Sequence, residues 1–114
     1  VGVHVVTRDV LRKRPIADVM SEALEISGGD GREIYVDLDV DVCDRAVAPA
    51  CPASVPGGIT ADELRQAAYI TGSDARVRAL DITEIDPVMD APDGRTIRLA
   101  ALLVLEASCG VARR

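Results

Sequence analysis

The alternation of strand-like and helix-like segments constrains the fold of this chain more than any other feature. Strands are predicted at residues 3–7, 34–39 and 77–82, and helices at residues 15–27, 60–70 and 96–108. Pro15 suits a first helical position, and Thr60 with Glu63 forms a capping-box pattern. The order strand, helix, strand, long loop, helix, strand, helix implies parallel strands joined by right-handed crossovers, and hence an α/β fold.

The last predicted helix, residues 96–108, is apolar on nearly all sides. A helix of this kind is normally buried, so we expect it to lie inside the molecule. The chain contains no Trp or Phe, so its core must be built from Val, Leu, Ile and Ala.

Acidic side chains follow two of the predicted strands. Asp39 and Asp41 leave the second strand, and Glu84 leaves the third. Ligands of parallel sheets bind beyond the carboxyl ends of the strands, so the topology alone brings these carboxylates to one rim.

The run DLDVDVCD at residues 37–44 places four carboxylates within eight residues. Its alternation predicts that Asp37, Asp39 and Asp41 share one face of a strand. Like charges so close repel one another, and a divalent metal ion among them is the simplest counter-charge. A solvated edge strand is the alternative. An EF-hand loop is excluded, because Val42 and Ala48 stand where that loop needs Gly and Glu.

Two longer segments resemble the ureohydrolases, a family that includes arginase, agmatinase and formimidoylglutamase. The segment DVDVCDRAVAP at residues 39–49, followed by PGGIT at residues 56–60, resembles the third signature of that family. The segment LDITEIDP at residues 80–87 resembles its Asp-x-x-Glu-x-Asn/Asp-Pro motif. The resemblance covers residues 34–110 and implies part of a three-layer, parallel-sheet, arginase-like fold.

The resemblance also implies roles for individual residues. Asp39 and Asp41 correspond to aspartates that bind a pair of Mn²⁺ ions, and Glu84 to the glutamate that holds the amidine or guanidine group of the substrate. Two roles stay open for Asp44, which either shuttles a proton beside the metal or pins the loop. Arg45 either attracts a substrate carboxylate or is a surface arginine.

Departures from the commonest family pattern favour the formimidoylglutamase branch. Residues 44–52 read DRAVAPACP, which resembles that branch more than the arginases or agmatinases. The implied reaction hydrolyses N-formimidoyl-L-glutamate, an intermediate of histidine breakdown, to L-glutamate and formamide. An agmatinase, guanidinobutyrase or arginase activity is the alternative, and a catalytically silent α/β module is a third interpretation.

The histidine and the Asp-x-His-x-Asp segment that complete the family's metal site have no counterpart here. His4, the one histidine, is interpreted as a packed or hydrogen-bonded strand residue. Residues 1–114 are therefore expected to be the C-terminal portion of one longer domain. That portion would supply half of a metal site, would be inactive alone, and would belong to a homo-oligomer when full length.

The net charge and the cysteine content limit the binding partners and the cellular compartment that we expect for this protein. A net charge of −6 and a pI of about 4.6 argue against a nucleic-acid partner. The longest apolar run, residues 99–105, is too short to span a bilayer, so no membrane partner is expected. Three cysteines without a Cys-x-x-Cys pair suggest reduced thiols in the cytoplasm.

Overall fold

A computed structural model describes residues 2–114. Six principal elements follow one another along the chain: α1 (Arg8–Leu11), α2 (Ile16–Ser27), β1 (Ile34–Asp39), α3 (Ala61–Ser73), β2 (Val77–Thr83) and α4 (Arg95–Val111). Three short 3₁₀ turns interrupt the connections, at Gly29–Gly31, Val40–Val42 and Pro87–Met89. The predicted α/β class is confirmed, and β1 has the predicted bounds.

The two strands pair in parallel, with Val36 opposite Leu80 and Asp39 opposite Thr83. Helix α3 makes the crossover between them, as the alternation predicts. Because the strands are parallel and in register up to Asp39 and Thr83, their carboxyl ends meet at one edge of the sheet. The segments that follow β1 and β2 therefore start side by side.

Helix α3 begins as its capping box predicts. The Thr60 hydroxyl oxygen accepts the N–H of Glu63 at 3.1 Å, and the Glu63 carboxylate accepts the N–H of Thr60 at 2.7 Å. Two backbone donors at the start of the helix are thus satisfied. The helix continues to Ser73, three residues beyond the predicted end.

The prediction of a strand at residues 3–7 is wrong. No strand forms there, and Val3 and Val5 are 84% and 72% exposed. His4 lies in the same irregular segment, with its Nε2 3.5 Å from Glu22 Oε1, so it is not a strand residue. A strand needs a neighbour to accept and donate its backbone hydrogen bonds, and no described segment pairs with this one.

Helix α4 is longer than predicted, and it is not buried on all sides. Thr96, Leu99 and Leu103 face the core, whereas Val104 and Leu105 are 54% and 59% exposed. The expectation of complete burial is therefore wrong for the described part of the molecule. Helix α4 packs mainly on α3, and one neighbour covers only one face of a helix.

The main core lies where α3, α4 and the loop after β1 meet the sheet. Its members are small or medium aliphatic residues and two cysteines: Leu38, Val40, Cys43, Ala48, Cys51, Ile59, Leu64, Ala68, Leu99 and Leu103. Six of these ten residues belong to β1 and to the loop at residues 40–59, so packing holds the acidic segment in place.

Candidate functional site

The acidic segment leaves the strand at Asp39. The chain then enters the 3₁₀ turn Val40–Val42, and Asp39 Oδ1 caps that turn by accepting the N–H of Asp41 at 2.9 Å. Asp41 is therefore a turn residue, and the prediction that strand alternation aligns Asp37, Asp39 and Asp41 is wrong for Asp41. Burial of Val40, which is fully enclosed, fixes the turn in the core.

Asp39 and Asp41 nevertheless stay close. Burial raises the pKa of Asp41, and the negative charges of Asp39 and then Asp37 raise it further. No Lys or Arg within residues 2–114 forms an ion pair with any of these three carboxylates. A crowded set of carboxylates without a basic partner has the electrostatics of a cation site.

Hard carboxylate oxygens fit Mn²⁺, which is the metal that the family resemblance implies. Asp37 is otherwise engaged, because its Oδ1 accepts a hydrogen bond from Thr83 Oγ1 at 2.8 Å. In the part of the chain that the structure covers, no three His, Cys, Asp or Glu side chains form a metal-binding group. Asp39 and Asp41 therefore fit part of a metal site and would need further ligands to complete it.

Glu84 directly follows β2 and sits one residue beyond the pair formed by Thr83 and Asp39. Its side chain is exposed, and its backbone has a φ of 64°, in the left-handed region that disfavours residues with a side chain. Strained backbone of this kind concentrates at functional sites. The structure thus brings Glu84 to the rim that carries Asp39.

Asp44 binds the backbone of its own loop. Its Oδ1 accepts the N–H of Ala46 at 2.8 Å, and its Oδ2 accepts the N–H of Gly57 at 2.7 Å. These two bonds, that of Gly57 first, lower the pKa of Asp44. A carboxylate held ionised in this way is a weak proton shuttle at neutral pH, so the geometry favours the loop-pinning role.

The same loop closes on itself at Gly58. A Cβ at this position would lie 2.3 Å from the carbonyl carbon of Cys43, so only glycine permits the close approach. The Asp44 N–H donates to the Ile59 carbonyl at 3.0 Å across this approach. The glycine pair noted in the sequence therefore returns the loop to the end of β1.

Arg45 binds the backbone of the loop through one of its two terminal nitrogens. Nη1 donates to the carbonyls of Cys51 at 2.9 Å and Pro52 at 3.2 Å. The arginine is half-buried, and its other donors have no partner among residues 2–114. Part of the guanidinium thus stays available to a carboxylate, while the rest shapes the loop.

Cys43 and Cys51 are fully buried in the core beside the site. Burial raises the pKa of the Cys43 thiol to about 11, so this thiol stays protonated at neutral pH. A protonated, buried thiol is neither a nucleophile nor a metal ligand. Cys43 is therefore a packing residue of the core.

Sequence reasoning missed a polar cluster that joins the loop after β1 to the start of α4. The buried Thr96 hydroxyl accepts the N–H of Ala50 at 3.1 Å and donates to Asp90 Oδ1 at 2.8 Å. The only signal in the sequence is the Asp93-Gly94 pair before α4, which predicts that a helix starts there. It does not predict that Thr96, at the start of that helix, binds Ala50, 46 residues earlier.

Comparison with known proteins places this arrangement in a family. The model of the arginase family matches residues 1–110. The chain belongs to the arginase family. Its parallel sheet and its helices are thus those of an arginase-like α/β fold.

Formimidoylglutamases are prominent among the arginase-family relatives. The formimidoylglutamase of Bacillus subtilis is 34% identical over 110 residues, which is 96% of this chain and 34% of that protein. Its crystal structure superposes with a TM-score of 0.89 over the same share of each chain. The formimidoylglutamase of Halalkalibacterium halodurans is 38% identical over 91% of this chain and 32% of its own length. Arginases and agmatinases also match.

A more distant structure shares the fold. Formiminoglutamase from Trypanosoma cruzi, solved with Mn²⁺, is 22% identical and superposes with a TM-score of 0.82, covering 93% of this chain and 35% of its own. The chain spans about a third of the length of the formimidoylglutamases that it matches, at 34% and 32% of their lengths. No helix within residues 2–114 is long and apolar enough to cross a membrane.

Proposed function

We propose that residues 1–114 are the C-terminal portion of a single-domain hydrolase that cleaves linear amidines, with N-formimidoyl-L-glutamate as substrate. The observation that carries the proposal is the shared rim, where Asp39 ends β1, Asp41 lies in the turn after it, and the strained Glu84 follows β2. Membership of the arginase family and the similarity to formimidoylglutamases support the choice of reaction.

Asp39 and Asp41 are the proposed ligands of two Mn²⁺ ions, together with residues of the remaining portion of the longer protein. Their crowding, with no basic partner among residues 2–114, supports this role. Bound there, a pair of divalent ions would supply a hydroxide at neutral pH. These residues alone offer two ligands, so we propose that the isolated chain is inactive.

Glu84 is the proposed partner of the cationic amidine. A carboxylate beside the planar N–C–N group would hold the amidine carbon in a fixed orientation for attack. Water adds to that carbon, the bond from the carbon to the glutamate nitrogen breaks, and that nitrogen leaves with a proton. The products are L-glutamate and formamide.

Asp44 and Arg45 are proposed to act beside this centre. The two backbone bonds of Asp44 support its role in holding the loop shape, and proton transfer is the alternative catalytic role proposed for it, which its lowered pKa disfavours. The donors of Arg45 that have no partner within residues 2–114 are the proposed contact for a carboxylate of the substrate.

Agmatinase, guanidinobutyrase and arginase activities form the second candidate, since an agmatinase of Bacillus subtilis is 32% identical over 96% of this chain. The reaction products distinguish the two candidate activities. A guanidine substrate releases urea, whereas N-formimidoyl-L-glutamate releases formamide. Mn²⁺-loaded full-length protein should release formamide from N-formimidoyl-L-glutamate and little urea from agmatine, guanidinobutyrate or arginine.

The test of the site is Glu84→Gln in the full-length protein. The change keeps the shape but removes the charge, an interaction worth about 1.5–3 kcal/mol for a charged hydrogen bond, or roughly a 10- to 150-fold loss of turnover. Metal content should not change. Glu106→Gln is the matched control, because Glu106 forms an ion pair with Arg65 between α3 and α4, away from the rim. This substitution should leave turnover unchanged. Loss of Mn²⁺ in Glu84→Gln, or full activity, would contradict the assigned role.

The full-length protein is further proposed to be a cytoplasmic homo-oligomer acting on small molecules. The three free cysteines, two of them buried, are compatible with a reducing compartment. Size-exclusion chromatography with light scattering would measure the subunit number.

A further inference from the structure

One residue of the loop after β1 is bound on both sides by the segment after β2. The N–H of Ala50 donates to Thr96 Oγ1 at 3.1 Å, and the carbonyl of Ala50 accepts the N–H of Asp86 at 2.9 Å. Ala50 is fully buried, so these bonds are shielded from water. The loop that carries Asp41 is thereby joined to a residue two positions beyond Glu84.

Asp90 fixes the direction of the Thr96 hydroxyl. That hydroxyl donates to Asp90 Oδ1 at 2.8 Å, which leaves its oxygen free to accept from Ala50. Asp90 also accepts the N–H groups of Thr96 and Ile97 at 3.1 Å each, through Oδ2. Partial burial raises the pKa of Asp90, but the bonds from Ile97 and Thr96 outweigh it and lower the pKa overall. The carboxylate is thus a permanent acceptor at neutral pH.

The cluster has a position that a simple helix cap does not need. Gly94, the N-cap of α4, offers no side chain, so Asp90 satisfies the first N–H groups of the helix from outside. A cap would be complete with those bonds. The additional bond from Ala50 to Thr96 connects residues 46 apart in sequence and joins the loop after β1 to the start of α4.

We infer that Thr96 and Asp90 are positioning residues, which hold the loop of Asp39 and Asp41 and the segment of Glu84 in one relative placement. The inference rests on the proposed function, because it assigns the purpose of that placement to hydrolysis. Neither residue is assigned a contact with substrate or metal.

The test compares two threonines in the full-length, Mn²⁺-loaded protein. Thr96 and Thr71 are both 0% exposed, but the Thr71 hydroxyl has no hydrogen-bond partner within residues 2–114. Thr96→Val should lower kcat on the order of 10- to 100-fold with little change in KM or metal content, because it frees the amide side of Ala50, the residue whose carbonyl binds next to Glu84. Thr96→Ser should restore most of the rate, and Thr71→Val should behave as the unmodified protein.

Hydrogen exchange gives a second measurement that does not depend on activity. In Thr96→Val the Ala50 amide should exchange faster, while the Asp44 amide, bonded to Ile59, should not change. If Thr96→Val fails to fold, Asp90→Asn replaces it, since an amide keeps an acceptor for Thr96 but loses the charge that fixes the hydroxyl. This variant should also lower kcat at constant metal content.

The outcomes separate the two proposals. Absence of turnover in the unmodified protein with every amidine and guanidine overturns the proposed function, and unchanged exchange at Ala50 in Thr96→Val overturns the link. With an active protein, an unchanged kcat in Thr96→Val or in its Asp90→Asn replacement overturns the positioning role. Equal losses in Thr96→Val and Thr71→Val do so as well.

Discussion

Glu84 combines an acidic side chain with a backbone conformation that glycine adopts more easily. The sequence motif identifies the residue, but nothing in the motif predicts a φ of 64°. A non-glycine residue in this region costs about 1–2 kcal/mol. No side-chain hydrogen bond from Glu84 to the described chain offsets that cost, so stability alone does not account for a glutamate at this position.

Glu84→Gly should therefore keep or raise the stability of the protein while abolishing turnover. Relief of the strain is offset by the added freedom of the unfolded chain, so the net gain is between zero and about 1 kcal/mol. Urea unfolding would measure it. Gly94→Ala is the control with the opposite change, because Gly94 also has a φ of 64° and a Cβ there would meet no atom within 4 Å. This substitution should lower the free energy of unfolding by about 1 kcal/mol. A clear loss of stability in Glu84→Gly would mean that contacts of the glutamate compensate its strain.

At the scale of elements, α3 and α4 approach each other through two glycines. A Cβ on Gly72 would lie 2.1 Å from the carbonyl oxygen of Ala107, and one on Gly110 would lie 2.4 Å from that of Tyr69. Both obstacles are backbone atoms, which cannot turn aside as a side chain can. The crossing seats α4 on the core, and α4 begins with the Thr96 that binds the loop of the site.

Gly72→Ala should therefore push the two helices apart. Overpacking of this kind costs about 1–3 kcal/mol, and the backbone contact places the loss toward the upper end. Thermal unfolding with circular dichroism would measure it. Gly29→Ala is the control, since its Cβ would meet only the flexible end of Arg32 at 3.6 Å, and its effect should be small. Equal stability of the two variants would show that α3 and α4 separate without cost.

At the scale of the whole molecule, the described chain leaves apolar surface without a partner. The sheet has two strands, so each has one edge unpaired within residues 2–114. A groove between β2 and α4 is lined by Leu80, Ile82 and Val104, and Leu105 on α4 is also exposed. Unpaired edges recruit other strands, and apolar patches of this kind mark sites of association.

The isolated chain should consequently self-associate, and mixing it with the remaining portion of the full-length protein should give a compact particle that binds Mn²⁺. Multi-angle light scattering would measure the mass in each case. Leu105→Lys should reduce self-association by charging the exposed face of α4. Val88→Lys is the control, because Val88 is 89% exposed in the turn after β2. This substitution should not reduce self-association. A stable, strictly monomeric chain would show that these residues form a self-sufficient domain.

Local signals in the sequence were sufficient for most of the elements and for the acidic residues of the rim. The capping box at Thr60 and the alternation that ends at Asp39 act over a few residues, and the structure keeps both. Parallel pairing followed from the order of the elements, which brings Glu84 to the rim of Asp39. The motifs around these residues also indicated the family that the comparisons confirm.

Tertiary contacts determined the features that local patterns left open or predicted wrongly. Residues 3–7 have the composition of a strand, but no strand of the described chain lies beside them. Burial of Val40 turns the chain before the alternation reaches Asp41. The bond from Ala50 to Thr96 spans 46 residues. Propensity and capping depend on neighbours within one or two turns of chain, whereas such bonds depend on the path of the whole backbone, so they exist only once the sheet and helices have packed.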